Sequence, residues 1–395
     1  MKIFFVTSKL NFETAGGSIE EFDLMIKDLI RLGNDVTAVT VFSHGNNIPT
    51  PLPYKLIAED CRSKSLLGIA WSAYKIFKKY SDQADFFQVD GHIFLYGAGL
   101  YRLLGGKTPI SAFFNRELIC WPENVSHLFV SNSKNILIAI KQSIRKAIEK
   151  NIGMKVASKI DILSFTNPVL QNFYERFGLR KDAGSLILSD PLDFQKIMNL
   201  GGVTETSYID RNKTSGVINL FYSSRMVPGK GFDLLLEAFN KIESKDHYHL
   251  ILGGSGPEEN LIKQKIKSLD IEKYVELTGW LNKKDLYKYH KTADIFIQPR
   301  WRTELTSVTL FYAMAFGLPC ILPGGGGLEW SAKGAAIYFK DSDYQDLAIQ
   351  IETLGNDSLL RERLSKNCYK RLNDPEIDHR STISRLNDAM LTLKK

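Results

Sequence analysis

Two cations, Arg225 and Lys230, stand five residues apart inside the run Ser223-Ser224-Arg225-Met226-Val227-Pro228-Gly229-Lys230-Gly231. The apolar stretch Ile218–Tyr222 before them has the pattern of a buried strand, and Phe232–Ile242 after them that of an amphipathic helix. The run is therefore expected to be a turn joining a strand to a helix start. Such a turn suits a ligand carrying two phosphates. The first turn of a helix offers N–H groups, glycine lets backbone come close, and the cations supply charge. A strand–turn–helix with two surface cations is also a common structural element, so the surrounding elements have to decide.

Those elements alternate. In the second half, strands are expected at Ile218–Tyr222, His249–Gly253, Val275–Thr278, Ile295–Gln298, Pro319–Leu322 and Ala336–Phe339. Helices are expected between them at Glu258–Leu269, Lys283–Lys291, Ser307–Phe316 and Tyr344–Leu354. The first half reads likewise, with strands at Ile3–Thr7, Asp35–Thr40, Phe86–Val89, Pro109–Phe114 and Ile160–Phe165. Its helices are expected at Ser18–Leu32, Lys64–Tyr80, Ile93–Leu104 and Asn167–Phe177. This alternation implies the α/β class with two doubly wound parallel sheets, each Rossmann-like. Such sheets bind ligands at the carboxyl ends of their strands, so two facing domains are expected to enclose a cleft. The polar, turn-rich stretch 199–215 reads as the connection between a first domain, 1–198, and a second, 216–374.

Composition sets the remaining bounds. With 395 residues, 44% hydrophobic and 24% charged, the chain suits two ordinary globular domains. No apolar run reaches the roughly 18–20 residues of a spanning helix. Met1–Thr7 reads as a buried first strand and not as a secretion signal. Cys61, Cys120, Cys320 and Cys368 are too scattered for a metal knuckle or a disulfide framework, which points to a reducing cytoplasm. The net charge of +7 is uneven: residues 133–159 carry seven Lys/Arg against one acid, Glu149, and 63–80 interleave Lys64, Lys75, Lys78 and Lys79 with Leu66, Leu67, Trp71 and Phe77. Both stretches read as basic amphipathic helices. Either their faces are simply solvated or they dock, peripherally, on an anionic membrane. Nucleic acid is not expected, because no recognised binding motif accompanies the charge.

An ordered series in the second half carries a family resemblance. It runs Ser224-Arg225 to Lys230-Gly231, then Leu252-Gly253-Gly254-Ser255-Gly256-Pro257, then Val275-Glu276-Leu277-Thr278-Gly279-Trp280-Leu281. Ala293-Asp294-Ile295-Phe296-Ile297-Gln298-Pro299 follows, then Glu304, Ala313-Met314-Ala315-Phe316-Gly317-Leu318-Pro319 and Gly326-Gly327-Leu328-Glu329. In this order and spacing the half resembles the donor-binding domain of the retaining GT-B glycosyltransferases of family 4, the glycosyl transferases group 1. The first half is similar less specifically, through Gly16-Gly17 before a helix, Ser43, and Asp190-Pro191-Leu192-Asp193 near the hinge. The loop Asn115-Arg116-Glu117-Leu118-Ile119-Cys120-Trp121-Pro122-Glu123 is similar to an acceptor-side loop of members acting on lipid-linked sugars.

The resemblance implies transfer of a sugar, with retention and without a metal or other cofactor. The donor is a nucleotide-diphosphate sugar on the second domain, and a glycan or lipid-linked saccharide acceptor sits on the first, in cell-envelope polysaccharide or glycolipid synthesis. Fixed cations stabilise a departing diphosphate, which gives Arg225 and Lys230 their roles. The helix start at Ser307, Val308 and Thr309 adds N–H groups at the phosphate, and Glu304 contacts hydroxyls of the donor sugar. Gly16, Gly17, Ser224, Gly254, Gly256, Gly279 and Trp280 complete the donor-binding set. Asn115, Arg116 and Glu117 are the acceptor candidates. The last helix, within 375–395, is expected to cross back to the first domain.

One position departs from the family pattern. A second glutamate, eight residues after the first, ordinarily bonds the nucleotide ribose, and Tyr312 stands there. A phenol cannot accept two ribose hydroxyls as a carboxylate does. An altered nucleotide contact or a catalytically silent nucleotide-sugar-binding subunit are the readings this leaves open, and the phosphate-loop match by itself also admits a GT-B nucleotide-sugar epimerase. Asp341-Ser342-Asp343 has the form of a metal-binding pair, but its place between strand and helix points to capping.

Overall fold

A computed structural model of the protein describes residues 1–12, 17–48, 51–90, 92–116, 143–181, 184–207, 216–299 and 305–394. They fall into two compact units, one built from residues up to Leu192 together with Pro375 onward, the other from the stretch Asp193–Asp374.

The first unit holds β1 (Lys2–Thr7), β2 (Asp35–Thr40), β3 (Lys55–Ala58), β4 (Phe86–Asp90), β5 (Ile110–Phe114), β6 (Ile162–Phe165) and β7 (Leu186–Ile187). They pair in the order β3-β2-β1-β4-β5-β6-β7, every pairing parallel. β4 and β5 are buried along their whole length, as a parallel sheet covered on both faces requires. Helix Gly17–Arg31 packs with the C-terminal helix His379–Lys394. Polar contacts fasten that last helix. His379 Nδ1 and Asp28 Oδ2 are 2.5 Å apart, Asn34 Nδ2 donates to Asn387 Oδ1 at 2.8 Å, and Lys394 pairs with Asp85 at 2.9 Å.

The second unit repeats the plan with β8 (Ile218–Ser223), β9 (Tyr248–Gly253), β10 (Val275–Gly279), β11 (Ile295–Ile297), β12 (Cys320–Pro323) and β13 (Ala336–Phe339). The order is β10-β9-β8-β11-β12-β13, again all parallel. Leu220, Tyr222, Phe232, Leu235, Leu252 and Ile297 belong to its core. In each unit the strand order reverses beside the first strand, between β1 and β4 and between β8 and β11. Doubly wound sheets take their ligands at such switch points, outside the carboxyl ends of the strands.

One boundary shifts. Residues 193–198, assigned from sequence to the first domain, open a helix, Phe194–Gly201, that belongs with the second unit. The Asp193 side chain caps it by accepting from the Lys196 N–H at 2.9 Å, and Gly202 closes it in the left-handed region. Phe194 lies 5.6 Å from Phe311, ring to ring, and a Cβ on Gly201 would meet the Phe316 ring at 2.3 Å. Asn199–Gly201 therefore finish a packed helix and are not linker. The Asp343 side chain accepts from the N–H groups of Gln345 and Asp346, so that motif is a helix cap, as expected.

Candidate functional site

β8 and β11 are neighbours, Leu220 pairing with Ile295 and Phe221 with Phe296, so the chain leaves both strands at one edge of the sheet. From β8 it enters the basic turn. Arg225 is exposed and Lys230 half-buried, and Gly229 (φ 84°) and Gly231 (φ 75°) bend the backbone through the left-handed region. Gly231 precedes helix Phe232–Lys241 and brings no capping side chain, which leaves the first turn of that helix to another acceptor. The Tyr222 hydroxyl donates to the Lys230 carbonyl at 2.8 Å and so ties the end of the turn to the strand it came from. Burial pushes the Tyr222 phenol well up, which keeps it protonated as a donor.

A shelf of backbone supports this turn from below. Ser224 N–H donates to Gly253, Gly254 N–H to Gly279 and Met226 N–H to Ser255, at 3.1, 2.8 and 2.8 Å. Gly254 (φ 129°) and Gly256 (φ 156°) have no room for a side chain, since a Cβ would lie 1.8 Å from the Ser224 carbonyl oxygen and 2.4 Å from that of Met226. Their backbone packing against the Arg225 turn accounts for both glycines. Gly279 (φ 71°) faces open space, and Trp280 beside it is 69% exposed.

β11 runs on through Gln298 and Pro299 to helix Val308–Ala315. Ser307, in extended conformation, precedes the helix, and its hydroxyl bonds the Thr309 hydroxyl at 2.9 Å while Val308 and Thr309 are half-buried at the helix start. Tyr312 is buried, its ring 5.9 Å from that of Tyr287. The phenol thus takes part in packing between two helices. Gln298, buried at the end of β11 with its Oε1 lacking a hydrogen-bond partner among the described residues, is a polar group at this edge that the sequence had shown only as part of a strand motif. Glu304 lies outside the described residues.

In the first unit, Gly17 opens helix Gly17–Arg31 after β1, while Gly16 and Glu117 lie outside the described residues. Asn115 and Arg116 follow β5. Asn115 Nδ2 donates to Asp90 Oδ1 at 3.5 Å, and the Tyr174 hydroxyl donates to the Arg116 carbonyl at 2.8 Å. Asp90, at the end of β4, also accepts from the Thr7 hydroxyl at the end of β1, 3.2 Å away, so these contacts sit at the switch point of this sheet. Glu21, buried on the helix above, senses the same group. Burial first, then the charges of Asp190 and Asp90, push its carboxyl well above the usual range, against a smaller pull from Arg116. Thr7, Glu21 and Asp90 were not singled out from sequence, although a polar residue ending an apolar strand at a switch point was the available signal for Asp90. Among the described residues no group of three His, Cys, Asp or Glu is placed to hold a metal ion.

A family model described as Glycosyl transferases group 1 matches residues 207–371. A mannosylfructose-phosphate synthase of Agrobacterium fabrum is 28% identical over 218 residues, 52% of this chain and 47% of its own length. A lipopolysaccharide core biosynthesis glycosyltransferase of Rhizobium meliloti is 31% identical over 143 residues, 36% of this chain and 40% of its own. The chain therefore spans less than half the length of these two curated relatives. Among solved structures, Anabaena HepE in complex with UDP matches with a TM-score of 0.71 at 16% identity, covering 99% of this chain and 100% of that one, a likeness of fold.

Proposed function

Because residues 207–371 are a glycosyl transferases group 1 domain, and the two Rossmann-like units are those of the GT-B fold, we propose that the protein transfers a sugar from a nucleotide-diphosphate sugar to a saccharide acceptor. One observation carries the reading. The Arg225–Lys230 turn and the Ser307 helix start leave neighbouring strands at the same edge, so cations and helix N–H groups are available where a diphosphate would lie. The UDP bound by Anabaena HepE supports a nucleoside diphosphate as the leaving group. Arg225 and Lys230 take up the charge that develops as the bond from the anomeric carbon to phosphate breaks, and no metal is required. Glu304 holds the sugar. The acceptor hydroxyl attacks on the face the phosphate leaves, and its proton passes to a phosphate oxygen, so configuration is retained.

The acceptor in this reading is a glycan or lipid-linked saccharide, in line with the lipopolysaccharide core relative, and it binds the first unit near Asn115, Arg116 and Glu117. The buried carboxyl groups of Asp90, which accepts from Asn115, and of Glu21, raised so that it can donate, suit hydroxyl-rich ligands. A second reading, nucleotide-sugar binding without transfer, has Tyr312 in its favour, since the phenol packs against Tyr287 where the family places a ribose-binding carboxylate. Mass spectrometry of reactions pairing a panel of nucleotide sugars with glycan and lipid-linked acceptors tests both. Transfer that disappears in Glu304→Ala at unchanged melting temperature supports the enzyme. Near-normal turnover in that variant removes Glu304 from the site, and binding without turnover under every acceptor selects the silent reading.

A further inference from the structure

Three helical segments of the first unit lie side by side: Leu66–Tyr80, Leu95–Leu103 and the stretch 143–157. Glycines let the middle one approach closely. A Cβ on Gly97 would meet the Ala70 carbonyl oxygen at 2.5 Å, and one on Gly99 would meet that of Val156 at 2.1 Å. The outer face of this layer is apolar to an unusual degree. Of the fifteen large apolar side chains that are exposed among the described residues, seven lie on these segments and the turn after the middle one. Leu67 is 83% exposed and Trp71, one helical turn on, 49%. Leu103 and Leu104 end the middle helix. Ile144, Ile148 and Ile152 recur every four residues, the spacing of one helix face, and all three are exposed.

Charge on the same layer has one sign. Within 63–80, 95–107 and 143–159 the sole acidic residue is Glu149, and it is buried. Lys64, Lys75, Lys78, Arg145, Lys150 and Lys155 are exposed. Lys75 also lies over the Trp71 ring, 5.9 Å from its centre, and Trp71 stacks on Tyr74 at 4.9 Å, an amphipathic cluster of the kind that favours the headgroup region of a bilayer. From these observations we propose that this three-helix face docks the protein on an anionic lipid surface, Leu67, Trp71 and the isoleucine stripe entering the interface while the cations meet lipid phosphates. A second copy of the chain fits the face poorly, because a twofold contact would press like charges together with no exposed carboxylate to answer them. No described helix is long and apolar enough to cross a membrane, so the contact is peripheral.

The test is sedimentation of the full chain with vesicles, a readout independent of any transfer reaction. The protein should sediment with vesicles of mixed phosphatidylcholine and phosphatidylglycerol, not with phosphatidylcholine alone, and added salt should release it. The triple variant Lys64→Gln, Lys75→Gln, Lys78→Gln should lower partitioning on the order of a hundredfold, from about a fivefold loss per cation. The pair Leu67→Glu and Trp71→Glu should abolish it, and Leu359→Glu, an exposed position of the second unit, should leave it intact. Melting curves confirm that each variant folds. Failure to bind anionic vesicles overturns the proposal. So does binding that both first-unit variants retain, or a solution dimer that they dissociate.

Discussion

The hydroxyl of Tyr222 and the carbonyl of Lys230, eight positions apart in sequence, are joined by a hydrogen bond of 2.8 Å. The bond closes the basic turn on its own strand and sets the direction from which Lys230 leaves the backbone. Tyr222→Phe keeps the ring in the core and removes only this donor. The expected cost is about 1 kcal/mol of stability, read from the urea midpoint. Affinity for a nucleoside diphosphate should fall a few-fold in calorimetry, because the turn loosens.

The two cations themselves carry more. If the proposed phosphate site is right, Lys230→Ala and Arg225→Ala should each cost one charge-assisted contact, and nucleoside diphosphate affinity should drop about tenfold to a hundredfold in either variant. Both side chains are at least partly exposed, so melting temperatures should hold. Unchanged affinity in Lys230→Ala would refute the phosphate assignment.

Gly254 makes a different prediction. Its added Cβ would stand 1.8 Å from the Ser224 carbonyl oxygen, at a φ of 129° that side chains rarely adopt. Gly254→Ala should therefore destabilise the second unit by about 2 kcal/mol or more, with the loss visible in thermal melting without any ligand. If stability held while nucleotide binding fell, the glycine would serve the ligand directly and not the shelf beneath the turn.

The C-terminal helix has a pH signature. Burial alone would raise the Asp28 carboxyl, but hydrogen bonds and charge from His379 and Arg31 outweigh it and hold the group below its usual range. A carboxyl with a depressed folded value contributes stability above its unfolded value of about 4 and loses it as pH falls through the folded one. Asp28→Asn should therefore lower stability at neutral pH, by about 1 kcal/mol or more for the broken buried contact. The difference from the unchanged protein should shrink toward acid pH in a denaturation series. A gap that stays constant with pH would show that the pair contributes packing and no linkage.

Central strands were legible because a parallel sheet buried on both faces writes continuous apolar runs such as Phe86–Val89 and Ile295–Gln298. The edge strands were not. Lys55–Ala58 has two exposed ends and two half-buried residues, and Leu186–Ile187 is two residues long, so neither makes a run that stands out from loop. Phe194–Gly201 was hidden for another reason: its first turn follows Asp190-Pro191, which reads as hinge, and its last residues merge into a polar stretch. The donor-side candidates stood out because they lie in ordered segments of one half. The cluster of Thr7, Glu21, Asp90 and Asp190 was not, because two strand ends, a helix and a distant loop meet there only once the sheet has formed.

The central claim is that the second unit binds a nucleoside diphosphate at the edge shared by β8 and β11. Thermal shift of the protein with UDP, GDP, ADP, dTDP and CMP, each with and without its common sugars, tests it most directly. A ligand present at about a hundred times its dissociation constant adds roughly 2.7 kcal/mol to the folded state, enough for a clear rise in melting temperature. The account predicts such a rise for one diphosphate base and its loss in Lys230→Ala. No rise with any nucleotide, or one that Lys230→Ala leaves untouched, would contradict it.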